Sequence, residues 1–167
     1  VGLPHAWLQR LHFLWERFVI YCHLHFSRHN LFAIDIANAG TDITSLREFK
    51  EADLIHLSWI NQGMLSLANI KRIVRSGKPV VWTMHDLWTA TGICHYARQC
   101  PSFRTGCHNC RLLPRGGGKE DLSRKVWNRK KALYHNANIP FITCSRWLEG
   151  QARQSALMKG QRITAIP

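Results

Sequence analysis

Two groups of residues in this sequence have the types and spacing to do chemistry, and they are neighbours. His85 and Asp86 directly follow an apolar run, Pro79 to Met84. An imidazole at such a position can donate or accept a hydrogen bond near neutral pH, which suits holding a hydroxyl or a developing charge. The carboxylate beside it can accept from hydroxyls or orient an imidazole. A plainer reading stays open, in which His85 satisfies backbone carbonyls and Asp86 caps the next turn. Cys94, Cys100, Cys107 and Cys110 come next, four of the six cysteines within seventeen residues, spaced C-x5-C-x6-C-x2-C. Four thiolates can complete a tetrahedral zinc shell, with His95 and His108 as substitute ligands. Only one pair has the usual two-residue spacing, so paired disulfides and free packing thiols remain competing readings. Cys22 and Cys144 fall in predicted core elements and read as packing residues.

The elements around these groups follow from periodicity. Trp7 to Cys22 sets Leu8, Leu11, Trp15, Phe18 and Cys22 at steps of three and four, which predicts an amphipathic helix packed inward. Ser27 to Thr44 has no firm period. Ala52 to Trp59 is short, apolar and bounded by polar residues, as expected of a strand buried on both faces. Met64 to Arg75 has helical spacing, with Ser66 as a candidate N-cap and Gly77 placed to end it. Pro79 to Met84 is a second strand, its proline at the first residue where no ladder donor is needed. Gly116 to Gly118 marks a flexible joint within a cysteine- and glycine-rich insertion spanning 94–118. A basic helix follows over Asp121 to His135, with Leu122, Val126, the Arg129 stem and Leu133 on one side. Ile139 to Cys144 predicts a third strand, Trp147 to Met158 a helix closed by Gly160, and Arg162 to Ile166 a fourth strand. Such alternation calls for a parallel sheet flanked by helices, an α/β domain.

Ligands of an open parallel sheet bind beyond the carboxyl ends of its strands. The residues there are polar: His56, Ser58, Trp59 and Asn61 after the first strand, His85, Asp86 and Trp88 after the second, Ser145 and Arg146 after the third. The expectation is that they converge on one rim as a ligand site, with His85 and Asp86 in catalytic roles and His56, Trp59, Asn61, Trp88, Ser145 and Arg146 as binding residues around them.

At 167 residues the chain suits a single domain, and 46% hydrophobic against 20% charged residues excludes a disordered or fibrous class. No apolar stretch reaches the length of a membrane span, and Arg10, Glu16 and Arg17 interrupt any secretory leader, so a cytoplasmic protein is expected. The formal charge of +13 is uneven: residues 1–90 carry +2 and residues 91–167 carry +11. A basic face of this kind suits nucleic acid, anionic lipid or phosphate-bearing substrates alike. Within it, Arg124, Lys125, Arg129, Lys130 and Lys131 read as a solvated helix face, with contact to an anionic membrane as the alternative.

Four segments taken together, Glu51-Ala-Asp-Leu-Ile-His-Leu-Ser-Trp-Ile-Asn-Gln-Gly, Gly77-Lys-Pro-Val-Val-Trp-Thr-Met-His-Asp-Leu-Trp, Thr91-Gly-Ile-Cys-His-Tyr and Cys144-Ser-Arg-Trp-Leu, resemble the family 4 glycosyltransferases of bacterial polysaccharide synthesis. The motifs occur in family order over Asn30 to Pro167. The resemblance implies a GT-B fold, two Rossmann-like domains facing across a cleft, of which this chain would be the N-terminal, acceptor-binding one, cut at both ends and lacking the donor-binding domain. It implies a nucleotide-sugar co-substrate, retention of anomeric configuration, no obligatory catalytic metal, and a glycan or lipid-linked acceptor met at the inner face of the membrane. By the same matching His85 points into the cleft, and Asp86, His56, Trp59 and Asn61 line the acceptor side. The fragment alone would be inactive. A second reading from a different class is a basic, zinc-stapled nucleic-acid module without enzymatic activity. Strands too apolar for a solvent-facing reader, and polar residues gathered after them, speak against it.

Overall fold

The computed structural model describes residues 6–135 and 137–167. The expectation of a cut at Val1 lies outside them. Among the described residues nine α-helices and β-strands follow one another as α1 (Ala6–His23), α2 (Arg47–Glu51), β1 (Ile55–Leu57), α3 (Leu67–Arg75), β2 (Val80–Met84), α4 (Leu122–His135), β3 (Phe141–Thr143), α5 (Arg146–Arg153) and β4 (Ile163–Ala165). The four strands form one parallel sheet in the order β1-β2-β3-β4. The α/β architecture read from the sequence is therefore the one observed. Strand order equal to chain order, with right-handed crossovers, sends α3, α4 and α5 across the same face of the sheet.

Register explains which face that is. Ile55 pairs with Val80, Leu57 with Trp82, Trp82 with Phe141 and Phe141 with Ile163, so these side chains share a face. All are buried. Tyr134 of α4 meets Trp82 and Phe141 edge-on, with ring centroids 6.3 and 5.4 Å apart. The alternate residues His56, Val81, Thr83, Ile142 and Thr164 fill the opposite face, and none is buried. This corrects the expectation of strands buried on both sides: the period is two, and His56 and Thr83 instead bond each other at 2.8 Å across the open face.

Local chemistry sets the helix limits. Ser66 caps α3 in a reciprocal box with Asn69, and Gly77 follows with φ +80°, which stops the helix where a glycine tolerates that backbone. α5 ends at Arg153, well before Met158, because Gln154 and Ser155 turn the chain and bury Leu157 and Met158. The short helix α2 lies in a stretch with no readable period.

Two expectations about helix faces are overturned. On α1 the residues Trp7, Leu11, Leu14, Trp15 and Phe18 are more than half exposed, whereas Glu16, Arg17 and Ile20 turn inward. The helix packs through a buried ionic seam, and its apolar stripe faces out. On α4 the member of the basic run that was expected in solvent, Lys130, is wholly buried, while Arg129 is exposed. Cys144, expected in the core, is exposed just past β3, and Cys22 is half-buried.

Candidate functional site

His85 leaves the end of β2 exposed to solvent, and its Nε2 meets Ser58 Oγ, just past β1, at 2.8 Å. Adjacent parallel strands end side by side, so residues after β1 and β2 are brought within reach without any long loop. Asp86 does two things at once. One carboxylate oxygen accepts the backbone N–H of Trp88 at 2.8 Å, closing the turn, and the other lies 2.7 Å from His95 Nδ1. A carboxylate only accepts, so the proton sits on Nδ1 and leaves Nε2 of a neutral ring free as a base or acceptor. Trp59 stacks on the same imidazole with centroids 5.4 Å apart and planes 14° apart.

These groups open onto a cavity of about 440 Å³, lined also by Phe32, Tyr96 and Arg98. Trp59, Phe32 and Tyr96 are exposed by 42, 63 and 62%, which leaves aromatic faces available to a ligand. A larger hollow of about 530 Å³ runs along β1 beneath α2 and takes in His56, Ser58 and Trp59. Its other walls, among them Ile43, Leu46, Phe49 and Leu54, are apolar except for Gln9 and Glu48. The smaller cavity holds the convergent polar groups and is the better site for chemistry.

The residues expected at the rim separate accordingly. Trp59, His85 and Asp86 come together. His56 lies on the open sheet face with Thr83. Asn61 is buried behind Trp59. Trp88 is 1% exposed, and its indole N–H donates to Asp35 O at 2.9 Å, so it supports the rim from below. Ser145 caps α5 through Leu148 N, and neither it nor Arg146 lines the cavity. His95 had been set among the cysteines as a substitute ligand; it turns instead to Asp86. Its place follows from an isolated antiparallel bridge, Ile34 to Cys94, which folds the chain after Thr91 back over the rim.

Two buried ionisable side chains hold the backbone behind this cavity. Glu16, with no exposed surface, accepts from Ile36 N and Ala37 N at 3.0 and 2.6 Å and from Gly63 N at 2.9 Å. Gly63 has φ +76° and lies so close to α1 that a Cβ would stand 2.4 Å from Phe13 N, so only glycine fits. Asp35 beside it takes Arg17 Nη2 at 3.1 Å and Gln62 N at 3.0 Å. Burial, then the Asp35 charge, push the Glu16 carboxyl up to about 8. Lys130 donates to the carbonyls of Trp88 and Thr91, its Nζ 3.3 Å above the Trp88 ring. Burial lowers its ammonium to about 7.

Comparison with known proteins adds one relative. Over 63 residues the chain is 35% identical to the Escherichia coli (strain K12) protein named "Putative colanic acid biosynthesis glycosyl transferase WcaC". The match covers 36% of this chain and 15% of that protein's length. No family model matches the chain, and no solved structure does. The likeness supports a glycosyltransferase and goes no finer. No helix among the described residues is long and apolar enough to cross a membrane.

Proposed function

We propose that this chain forms the acceptor-binding side of a retaining glycosyltransferase of the family 4, GT-B kind. A sugar would pass from a nucleotide-sugar donor to a glycan or lipid-linked acceptor in polysaccharide biosynthesis. The observation that carries the proposal is the joining of His85, Asp86, His95 and Trp59 at one sheet rim around a sugar-sized cavity. Sugars present apolar C–H faces and rings of hydroxyls, and this cavity offers both counterparts: exposed aromatic faces, and imidazole and carboxylate groups with free lone pairs. In this reading His85 faces the sugar being transferred, while Asp86 holds the His95 tautomer that accepts from an acceptor hydroxyl. Trp59 supplies the stacking surface. No step in it is routed through a metal. The donor is held by a part of the enzyme beyond these residues, and the work is done at the cytoplasmic face of the membrane, where a chain of formal charge +13 favours anionic lipid.

The test is nucleotide-sugar turnover by the protein joined to its donor-binding part. His85→Ala is expected to lower kcat on the order of 10²- to 10⁴-fold, the usual worth of a positioned polar group at the reacting centre. Trp59→Ala is expected to raise KM for the acceptor with a smaller effect on kcat. Turnover unchanged by His85→Ala would remove the assigned role.

A further inference from the structure

Apart from the rim, the four clustered cysteines surround a space of their own. Cys94, Cys100, Cys107 and Cys110 all line a single cavity of about 20 Å³, together with His108, Ser102, Ser123 and the apolar side chains of Ile93, Ala97 and Phe103. That is room for one small ion or one water and for nothing larger. All four thiols are free, with no disulfide among them. We propose that this cavity is a structural zinc site with Cys94, Cys100, Cys107 and Cys110 as its four ligands.

The loop around the cavity is built to hold sulfur in place. The backbone N–H of Gly92 donates to Cys107 Sγ at 3.1 Å, the type of outer hydrogen bond that orients and steadies a metal-bound thiolate. The N–H of Cys110 donates to Asp121 Oδ2 at 2.8 Å, and the same oxygen takes Gly118 N at 3.2 Å, which ties the last ligand to the start of α4. Gly117, at φ +70°, lets the chain cross the Cys110 backbone where a Cβ would stand 2.6 Å from its nitrogen. The sulfurs surround the space without yet closing on it: among the described residues no three His, Cys, Asp or Glu side chains stand at metal-binding geometry. Zinc–sulfur bonds of about 2.3 Å require the four sulfurs to close further on this space.

Charge gives a second argument. Binding replaces four S–H protons by one Zn²⁺ and releases four protons to solvent, so the occupied site carries a net charge of minus two. Lys130, buried on α4, has no carboxylate within ion-pair distance among the described residues, and the charges that reach it are those of Asp35 first, then Cys107, Cys94 and Asp86. A doubly negative tetrathiolate centre adds to the negative charge that faces it.

The test uses this chain expressed with zinc in the medium and purified under reducing conditions. Elemental analysis is expected to give one zinc per chain. A strong chelator should remove it, exposing four more thiols to a chromogenic thiol reagent. Cobalt(II) added to the metal-free chain should show the charge-transfer absorption of tetrahedral thiolate coordination. Cys107→Ser and Cys110→Ser should lose stoichiometric metal, while Cys144→Ser, at an exposed position, should keep it. Because a ligand variant can fail to fold, the metal content of the unaltered chain decides. Substoichiometric zinc with all four thiols reacting freely in excess zinc would overturn the proposal, as would two disulfides in mass spectra of chain purified without reductant.

Discussion

Glu16 and Lys130, a buried acid and a buried base, solve the same problem at two places behind the rim. The segments that form the rim, 34–37, 61–63 and 88–95, are irregular, so many of their backbone groups have no ladder to join. A buried unpaired N–H or C=O costs about 1–3 kcal/mol. At Ile36, Ala37 and Gly63 the spare groups are N–H donors, and the Glu16 carboxyl gathers all three. At Trp88 and Thr91 they are carbonyls, and the Lys130 Nζ gathers both. The difference lies in their direct partners. Glu16 has Arg17 and Asp35 close by, with Arg17 Nη2 3.7 Å from Glu16 Oε2 and 3.1 Å from Asp35 Oδ2, whereas Lys130 touches carbonyls and the Trp88 face, with Asp35 and Asp86 acting on it only from beyond ion-pair distance. A buried ionisable group can thus be a bracket for backbone, inside a contact network in one case and against an aromatic face in the other.

Removing each bracket tests the comparison. Glu16→Ala strands three buried N–H groups and leaves Arg17 and Asp35 to rearrange, and the expected loss is about 3–5 kcal/mol in urea unfolding. A loss under 1 kcal/mol would mean that water or Asp35 takes over. Lys130→Met keeps the apolar stem and removes the ammonium. Two carbonyls lose a donor, but the cost of burying a charge is also removed, so the expected loss is smaller, about 1–3 kcal/mol. Equal losses would erase the distinction between a networked ion and an isolated one.

Acidity separates the brackets further. The Glu16 carboxyl is raised from an ordinary 4.5 to about 8, chiefly by burial. Between those values the folded chain holds a proton that the unfolded chain has released, so stability from this group is full below about 4.5 and falls as pH rises through about 8. The slope can reach about 1.4 kcal/mol per pH unit. Glu16→Gln cannot titrate, and its unfolding midpoint should lose this decline between pH 5 and 8. A decline of the same slope in Glu16→Gln would assign it to other groups.

Neither bracket was legible in the sequence. Glu16 lies in a helix whose apolar period pointed the other way, and Lys130 stands in a run of five basic residues of which it alone is buried. Which member of a charged run goes inside depends on the tertiary wall it meets, here the carbonyls after β2, and no local period encodes that. His95 was misplaced for a similar reason: its cysteine neighbours dominated the spacing, while its partner Asp86 is reached only through the fold-back at Cys94. By contrast, the Ser66 cap, the Gly77 stop and the alternation of strands and helices were readable, because each follows from residues within a few positions. The placement of His85 and Asp86 at a strand end was readable too, since a parallel sheet exposes whatever follows its strands.

The smallest effect on stability is expected at the rim itself, and it separates the two layers of this design. His85 is exposed, and its hydrogen bond to Ser58 at 2.8 Å is open to solvent. Water can replace either partner at little cost, so His85→Ala should move the unfolding free energy by no more than about 0.5 kcal/mol. The same substitution is the one expected to cost orders of magnitude in transfer. A large loss of stability in His85→Ala would make that residue a third bracket and turn any loss of activity into a consequence of unfolding. A near-zero change would leave any loss of transfer to His85 itself, on a rim whose backbone Glu16 and Lys130 brace.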